Sequence, residues 1–384
     1  TGAEIERRWG GAATIVFGAA LLIYAGVALG LTRGSTFTID ELTWIGDVDG
    51  FAPGSLIEPH NGHAIVLARV VYAVSAELFG LDPLVVRIAM VIAVAAAAAT
   101  LFAFVARRLG RVTALPLALV ILFLGSSTVP VDPNVAVFAQ SAAFGIGALL
   151  ALEGSGGGRL GLACALLILS VFSFSLGVAF LVAAAVLLLC RHGRLRDVWV
   201  AAVPAALYAL WFIWAQGQPD TAGGTIALLE APAAAATTLA AGIGALAGLG
   251  HDVEQTASDP LRTDWGSVLA LVAAGVLAWR IRRDGISPML LALVAGLVVV
   301  ALGVSFAAAD FRLPESTRYA YATGVLVVMI GAEAYRGARP SLPILAGIAG
   351  LAAFALAGNL ADMRGRGAEL RADSERIRAQ LVGI

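Results

Sequence analysis

Residues 37–63 read FTIDELTWIGDVDGFAPGSLIEPHNGH and gather three aspartates, two glutamates and two histidines in a chain of 384 residues that is 60% hydrophobic and 13% charged. So polar a stretch belongs in water or at a membrane face, because charged groups are costly in hydrocarbon. Its flanks are the opposite. Residues 11–31 before it and 84–106 after it are each long enough to cross a bilayer, which takes about 20 mainly apolar residues. The stretch is therefore a loop between two spans, and the chain is an all-α integral membrane protein. Its mean hydropathy of +0.90 is far from that of soluble domains.

Outward from this loop, further apolar runs occupy 112–128, 135–152, 159–174, 175–190, 197–215, 265–281, 286–308, 319–335 and 341–358, giving about eleven spans. If these alternate, Arg7 and Arg8, RRLGR at 107–111, RHGRLR at 191–196, RIRRDG at 280–285 and RGARP at 336–340 share one side. The excess of positive charge assigns that side, with the N-terminus, to the cytoplasm. The loop 32–83, STVPVDPN at 127–134, residues 216–264, AADFRLPESTR at 308–318 and the C-terminus are then extracytoplasmic.

Two regions leave choices. Residues 159–190 make either two short helices or a pair broken around Gly177. Residues 226–250 predict a helix lying on, or dipping into, the outer face. The expected organisation is one polytopic domain over 1–360 and an extracytoplasmic C-terminal helix over 361–384, solvated and laced with i,i+4 charge pairs. The first apolar run lacks a cleavage signature after it and is read as a retained span. Cys164 and Cys190 sit in apolar runs, which argues against a disulfide framework or thiolate metal site. A net charge of -1 argues against a nucleic-acid partner. Basic residues that are all arginine, with abundant Ala, Gly, Val and Leu, suggest a GC-rich bacterial genome and hence a bacterial inner membrane.

Within the loop the acids alternate with Trp44, Ile45, Phe51 and Leu56, which predicts that part of it is buried. It runs into HAIVLARVVYAVSAELFGL at 63–81, whose mixed face of His63, Arg69, Tyr72 and Glu77 suits an interfacial helix. One span, an outer loop with adjacent acids at Asp40 and Glu41, an interfacial helix closing on LFGLDPLVVRIAM and a span closing on ARRLGR together resemble the opening of the GT-C fold glycosyltransferases. The branch is that of the protein O-mannosyltransferases and lipid A aminoarabinose transferases. The likeness covers residues 11–111, continues loosely through FSFSLGVAFLVAAAVLLL and ESTRYAY at 315–321, and fades over 216–264.

The resemblance implies a mannosyl- or arabinosyltransferase-like enzyme that moves a sugar from a polyprenyl-phosphate carrier to an acceptor at the outer face. It makes Asp40 the base and Glu41 its neighbour. Adjacent carboxylates raise one another's pKa unless the backbone splays them. A single displacement inverts the anomeric centre. The departing phosphate calls for an arginine fork, and the candidates are Arg87 and Arg318, with Arg69 and Arg312 behind them. Tyr319 and Tyr321 follow Arg318 at the outer end of a span, where tyrosines also serve as anchors.

EPHNGH departs from the family pattern, which more often has a proline-leucine pair and a basic residue there. Glu58, His60 and His63 on one helical turn would orient sugar or acceptor, or hold a divalent metal completed by Asp47 or Asp49. A plain turn explains Asp47 and Asp49 equally well. His192 reads as a solvated or headgroup-facing residue, and His251 as either an exposed loop residue or part of an acceptor groove. The acceptor is a glycan, lipid or protein, selected by loops 37–63 and 216–264 or by a partner protein. Two other readings stand beside the enzyme: a transporter or flippase for lipid-linked sugars, and a non-catalytic binding partner. Transporters usually show repeated halves and polar breaks at the bilayer midplane. Here polar residues concentrate at one face.

Overall fold

A computed structural model describes residues 2–47, 49–154, 156–191, 195–218, 229–251, 259–307 and 313–382. The helices in chain order are α1 (Gly2–Leu31), α2 (Ile39–Asp47), α3 (Pro53–Ile57), α4 (Val66–Phe79), α5 (Pro83–Leu109), α6 (Arg111–Leu122), α7 (Val137–Leu152) and α8 (Gly157–Ser173). They continue as α9 (Gly177–Cys190), α10 (Trp199–Ala215), α11 (Ala231–Leu246), α12 (Asp264–Asp284), α13 (Pro288–Ala307), α14 (Thr317–Ala334) and α15 (Leu342–Val382). Among the described residues there is no strand, only one isolated bridge. The fold is all-α, as expected, because a chain in lipid must satisfy every backbone polar group within its own segment. Each of the eleven apolar runs carries one helix, although the run 112–128 outlasts α6, which ends at Leu122, and the run 341–358 is only the first part of α15. Among the described residues six helices are long and apolar enough to cross a bilayer by length and composition.

The basic segments gather at one end of the bundle. Arg108 is buried under α5, donates to Glu333 at 2.6 Å and pairs with Glu153. Glu6 accepts the Arg111 and Val112 amides at 2.8 and 3.1 Å. The Gly337 amide donates to the Arg108 carbonyl at 2.9 Å. Breaking one side of such a buried pair costs about 3–5 kcal/mol, so this network fixes how α5, α7 and α14 meet. The opposite end carries the segments 32–65, 125–135 and 174–176 and the far half of α15.

Small residues let the helices approach closely. Gly145 of α7 lies against Phe180 of α9, and Gly242 of α11 lies against Thr323 of α14. The choice over 159–190 resolves as two helices joined by 174–176. α9 begins where the Gly177 α-carbon touches the Ser170 carbonyl, a spot that any Cβ would overlap. That sharp junction carries Phe174 and Ser175 to the loop end.

α11 is buried among α12, α13 and α14 rather than laid across their ends. The Thr238 hydroxyl of α11 donates to the Pro314 carbonyl at 3.1 Å. Residues 226–228, the start of the expected helix, lie outside the described residues, as do His192 and Arg312.

The C-terminal segment differs most from its sequence reading. It is not a separate solvated helix. α15 runs unbroken for 41 residues, about 60 Å, roughly twice the hydrocarbon thickness. Its C-terminal half packs on the loops through buried Met363, Leu370 and Ser374. Ser374 Oγ accepts the Thr36 amide at 2.7 Å, and Arg371 donates to the Leu31 carbonyl at 2.6 Å. Arg366 holds buried Asp132. His251, expected in an exposed loop or a groove, is tucked away and bonds Asp362 at 3.1 Å.

Candidate functional site

The site grows from the start of α2. Thr38 precedes the first helical residue, and the Glu41 carboxylate reaches back to its amide at 2.7 Å. This is the glutamate half of a capping box. The other Glu41 oxygen accepts the Tyr72 hydroxyl of α4 at 2.7 Å. Glu41 is only 2% exposed, while Asp40, one residue earlier on the helix, faces outward and is exposed. The two adjacent acids are splayed.

Burial, with a smaller push from the Asp132 charge, carries the Glu41 pKa from 4.5 to about 7, against the opposing hydrogen bonds from Thr38 and Tyr72. Asp40 is not among the causes. The folded pKa is raised, so the stability Glu41 contributes is full below about 4.5 and is lost as pH rises through about 7. The size is on the order of 3 kcal/mol. The melting temperature of the wild type in detergent should therefore fall by several degrees between about pH 5 and about pH 8. Glu41→Gln should flatten that slope and keep the fold. An unchanged slope in the variant would show that the pH dependence arises elsewhere.

Two of the expected phosphate arginines are turned to scaffolding. Arg87 donates to the Ser35 carbonyl and hydroxyl at 2.6 and 2.7 Å. Arg69, fully buried, donates to Asp47 at 3.2 Å and approaches the Pro59 carbonyl at 3.5 Å. Neither lines the cavities below. Together they fix the chain on both sides of α2.

EPHNGH is a tight hairpin and not a helical turn. His60 and His63 exchange both backbone bonds at 3.0 and 2.9 Å, while Asn61 and Gly62 take φ of 52° and 77°. These are the two positive angles of a type I′ turn, for which Asn-Gly is the strongest sequence signal. The His60 ring lies edge-on to Trp44 at 5.3 Å. His63 bonds Ser175 Oγ at 2.8 Å and packs on Phe174 at 4.5 Å. The helical turn on which a metal trio of Glu58, His60 and His63 was expected does not form. Among the described residues no three His, Cys, Asp or Glu side chains are grouped to hold a metal.

Asp40, Asn134, His60, His63, Arg318 and Tyr319 face one polar cavity of about 350 Å³. Asn134 reaches Asp40 at 3.5 Å. His63, Phe138, Phe174 and Tyr319 also border an apolar groove of about 240 Å³, which runs between α9, α13 and α14 past Val178, Val300 and Gly303. No described residue of α11 lines it. On the far side of Asp40 and Asn134 lies a third cavity of about 430 Å³, walled by α15. Tyr321 is fully buried in the core and lines none of the three.

Of the residues expected from the sequence, the structure brings Asp40, His60, His63, Arg318 and Tyr319 together and sends Glu41, Arg69, Arg87 and Tyr321 elsewhere. Sequence reasoning missed Asn134, Phe174, Ser175 and the whole α15 wall. For Asn134 the available signal was the DPN tripeptide in an outer loop.

Against known proteins, no family model matches the chain, and no curated protein does. The crystal structure of ArnT from Cupriavidus metallidurans bound to undecaprenyl phosphate is similar, with a TM-score of 0.51 and 13% identity over 84% of this chain. This chain spans 59% of that protein. The similarity establishes the fold, an ArnT-like GT-C membrane fold, as the opening segments implied.

Proposed function

We propose that the protein is a glycosyltransferase that takes a sugar from a polyprenyl-phosphate carrier and transfers it, with inversion, to an acceptor hydroxyl at the outer face of a bacterial inner membrane. The observation that carries this reading is a polar chamber holding Asp40 and Arg318 and opening onto an apolar groove between helices. A donor with a charged head and an isoprenoid tail has that same division. The acceptor hydroxyl attacks the anomeric carbon, its proton passes to Asp40, and the bond from that carbon to the phosphate oxygen breaks. The carrier phosphate leaves with the electron pair beside Arg318. His60, His63 and Asn134 hold the sugar. The positive-inside rule supports placing the arginine-rich end in the cytoplasm and this chamber outside. The fold shared with a protein solved with undecaprenyl phosphate supports the donor class.

The test is transfer by purified protein from synthetic undecaprenyl-phosphate sugars to a membrane extract. Carrier binding without any transfer would favour a transporter or a non-catalytic partner. The groove supplies a sharper prediction. Gly303 lines it, and a Cβ added there meets nothing within 4 Å, so Gly303→Trp adds bulk at the groove with no clash at its β-carbon. The KM for the long-chain donor should rise at least about tenfold, a loss of about 1.4 kcal/mol of binding. The KM for a donor with only two isoprene units should stay within a factor of about two. Equal effects on both would remove the tail from this groove.

A further inference from the structure

We infer that the cavity beneath the outer half of α15 is the acceptor site and that it takes an uncharged saccharide. The inference rests on the donor reading above for its geometry: Asp40 and Asn134 stand in the wall common to both cavities. A base must touch the acceptor hydroxyl and lie next to the donor's anomeric carbon, and Asp40 is the exposed carboxylate that meets both spaces.

The chemistry of the walls selects the class of acceptor. Asn134 and Gln380 offer amide groups, while Phe37, Leu370 and Ile377 offer apolar faces. That is the mixture that grips a sugar, whose hydroxyls need planar hydrogen-bonding partners and whose C–H faces need apolar ones. Charges are present but already balanced. Arg366 is held by Asp132 and Glu369, and Arg376 by Asp373. Polyanionic acceptors would need surplus arginine here, and the walls supply none.

Position favours an acceptor reached from water. The wall residues come from 37–40, from Asn134 and from 366–380, polar stretches that lie after the apolar runs 11–31 and 341–358 or just before the run 135–152. The donor groove, by contrast, is built from α9, α13 and α14 within apolar runs. The far half of α15 thus does the selecting that the sequence assigned to loops 37–63 and 216–264. It is tied in place by Ser374 on the Thr36 amide and by Arg378 on the Gly34 carbonyl at 3.1 Å.

Two binding measurements on the full-length protein in detergent test this. One uses undecaprenyl phosphate as the donor-side probe. The other uses neutral di- to tetrasaccharides of mannose, arabinose and glucose, followed by ligand-observed NMR. Ile377→Trp narrows the cavity, and Gln380→Ala removes an amide from its wall while adding no bulk. We expect at least one saccharide series to bind, both variants to weaken it at least about tenfold, and undecaprenyl phosphate to bind each variant as it binds the wild type. Failure of every saccharide to bind the wild type, or equal binding to the wild type and both variants, overturns the proposal. Tighter binding of a phosphorylated saccharide than of its neutral parent overturns the assigned class. If undecaprenyl phosphate does not bind while the saccharides do, the donor reading falls and the saccharide site stands.

Discussion

Asp40→Asn should lower turnover about 10²–10⁴-fold, the range that a positioned general base contributes, while undecaprenyl phosphate binding stays within a factor of about two. The separation of these effects follows from where Asp40 sits. Its side chain is exposed, and its contact with Asn134 is 3.5 Å long, so the fold does not lean on it. Asparagine keeps the shape and loses the ability to accept a proton in the transition state. The melting temperature should therefore match that of the wild type. Glu41 cannot stand in for the missing base, because both its oxygens are engaged and buried against Thr38 and Tyr72. Glu41→Gln is the matched control. It should disturb stability against pH far more than it disturbs turnover at fixed temperature. Should Asp40→Asn turn over as fast as wild type, or should Glu41→Gln lose the larger factor, the base has been assigned to the wrong acid.

Much of the fold was legible because lipid leaves a chain few options. Backbone groups in hydrocarbon have to bond within their own segment, so an apolar run becomes a helix whatever its neighbours do, and each of the eleven runs carries one, with 123–128 turning out of α6 at the end of its run. The loop end was legible for the complementary reason, since its acids had to leave the hydrocarbon. Asp40 emerged from the family likeness of the opening segments, and its outward direction agrees with α2 beginning one residue earlier.

Two local signals were present and not used. Thr38-Ile39-Asp40-Glu41 spells a capping box, which already assigns Glu41 to the backbone and frees Asp40. Asn61-Gly62 spells a type I′ turn, which excludes a helical metal site at EPHNGH. In the tail, Met363, Leu370 and Ser374 form a stripe at helical spacing that becomes its buried face. Reading only the charges of that tail hid the stripe.

The arginines were illegible in a deeper sense. Each had a reasonable claim on a phosphate, and what decided among them was a distant acceptor. Arg87 finds the Ser35 carbonyl 52 residues away, and Arg69 finds Asp47 on a different helix. A guanidinium goes to whichever buried acceptor the fold brings near it, because leaving such a carbonyl unsatisfied costs about 1–3 kcal/mol. Nothing local in the sequence announces that acceptor. Arg318 is the arginine bordering the polar cavity among the described residues, and there the surroundings argue for an anion.

Arg318 lies in the first turn of α14, over the Tyr319 ring at 5.4 Å. A cation is unfavourable at a helix N-terminus by a few tenths to about 1 kcal/mol. An anion in front of that terminus reverses the sign, because the helix amides and the guanidinium then attract the same charge. Placing an arginine there makes physical sense once a phosphate is bound. Arg318→Ala should accordingly lower kcat/KM about 10²–10³-fold, the usual loss when a donor to developing negative charge is removed. Arg318→Lys should fall between, since it keeps the charge and loses the two-pronged fork. The decisive comparison is between two carrier lipids of equal length. The wild type should bind undecaprenyl phosphate much more tightly than undecaprenol, and Arg318→Ala should erase most of that difference by weakening the phosphate form alone. A variant that weakens both lipids equally would make Arg318 a packing residue, and one that preserves the preference would place the phosphate against some other group.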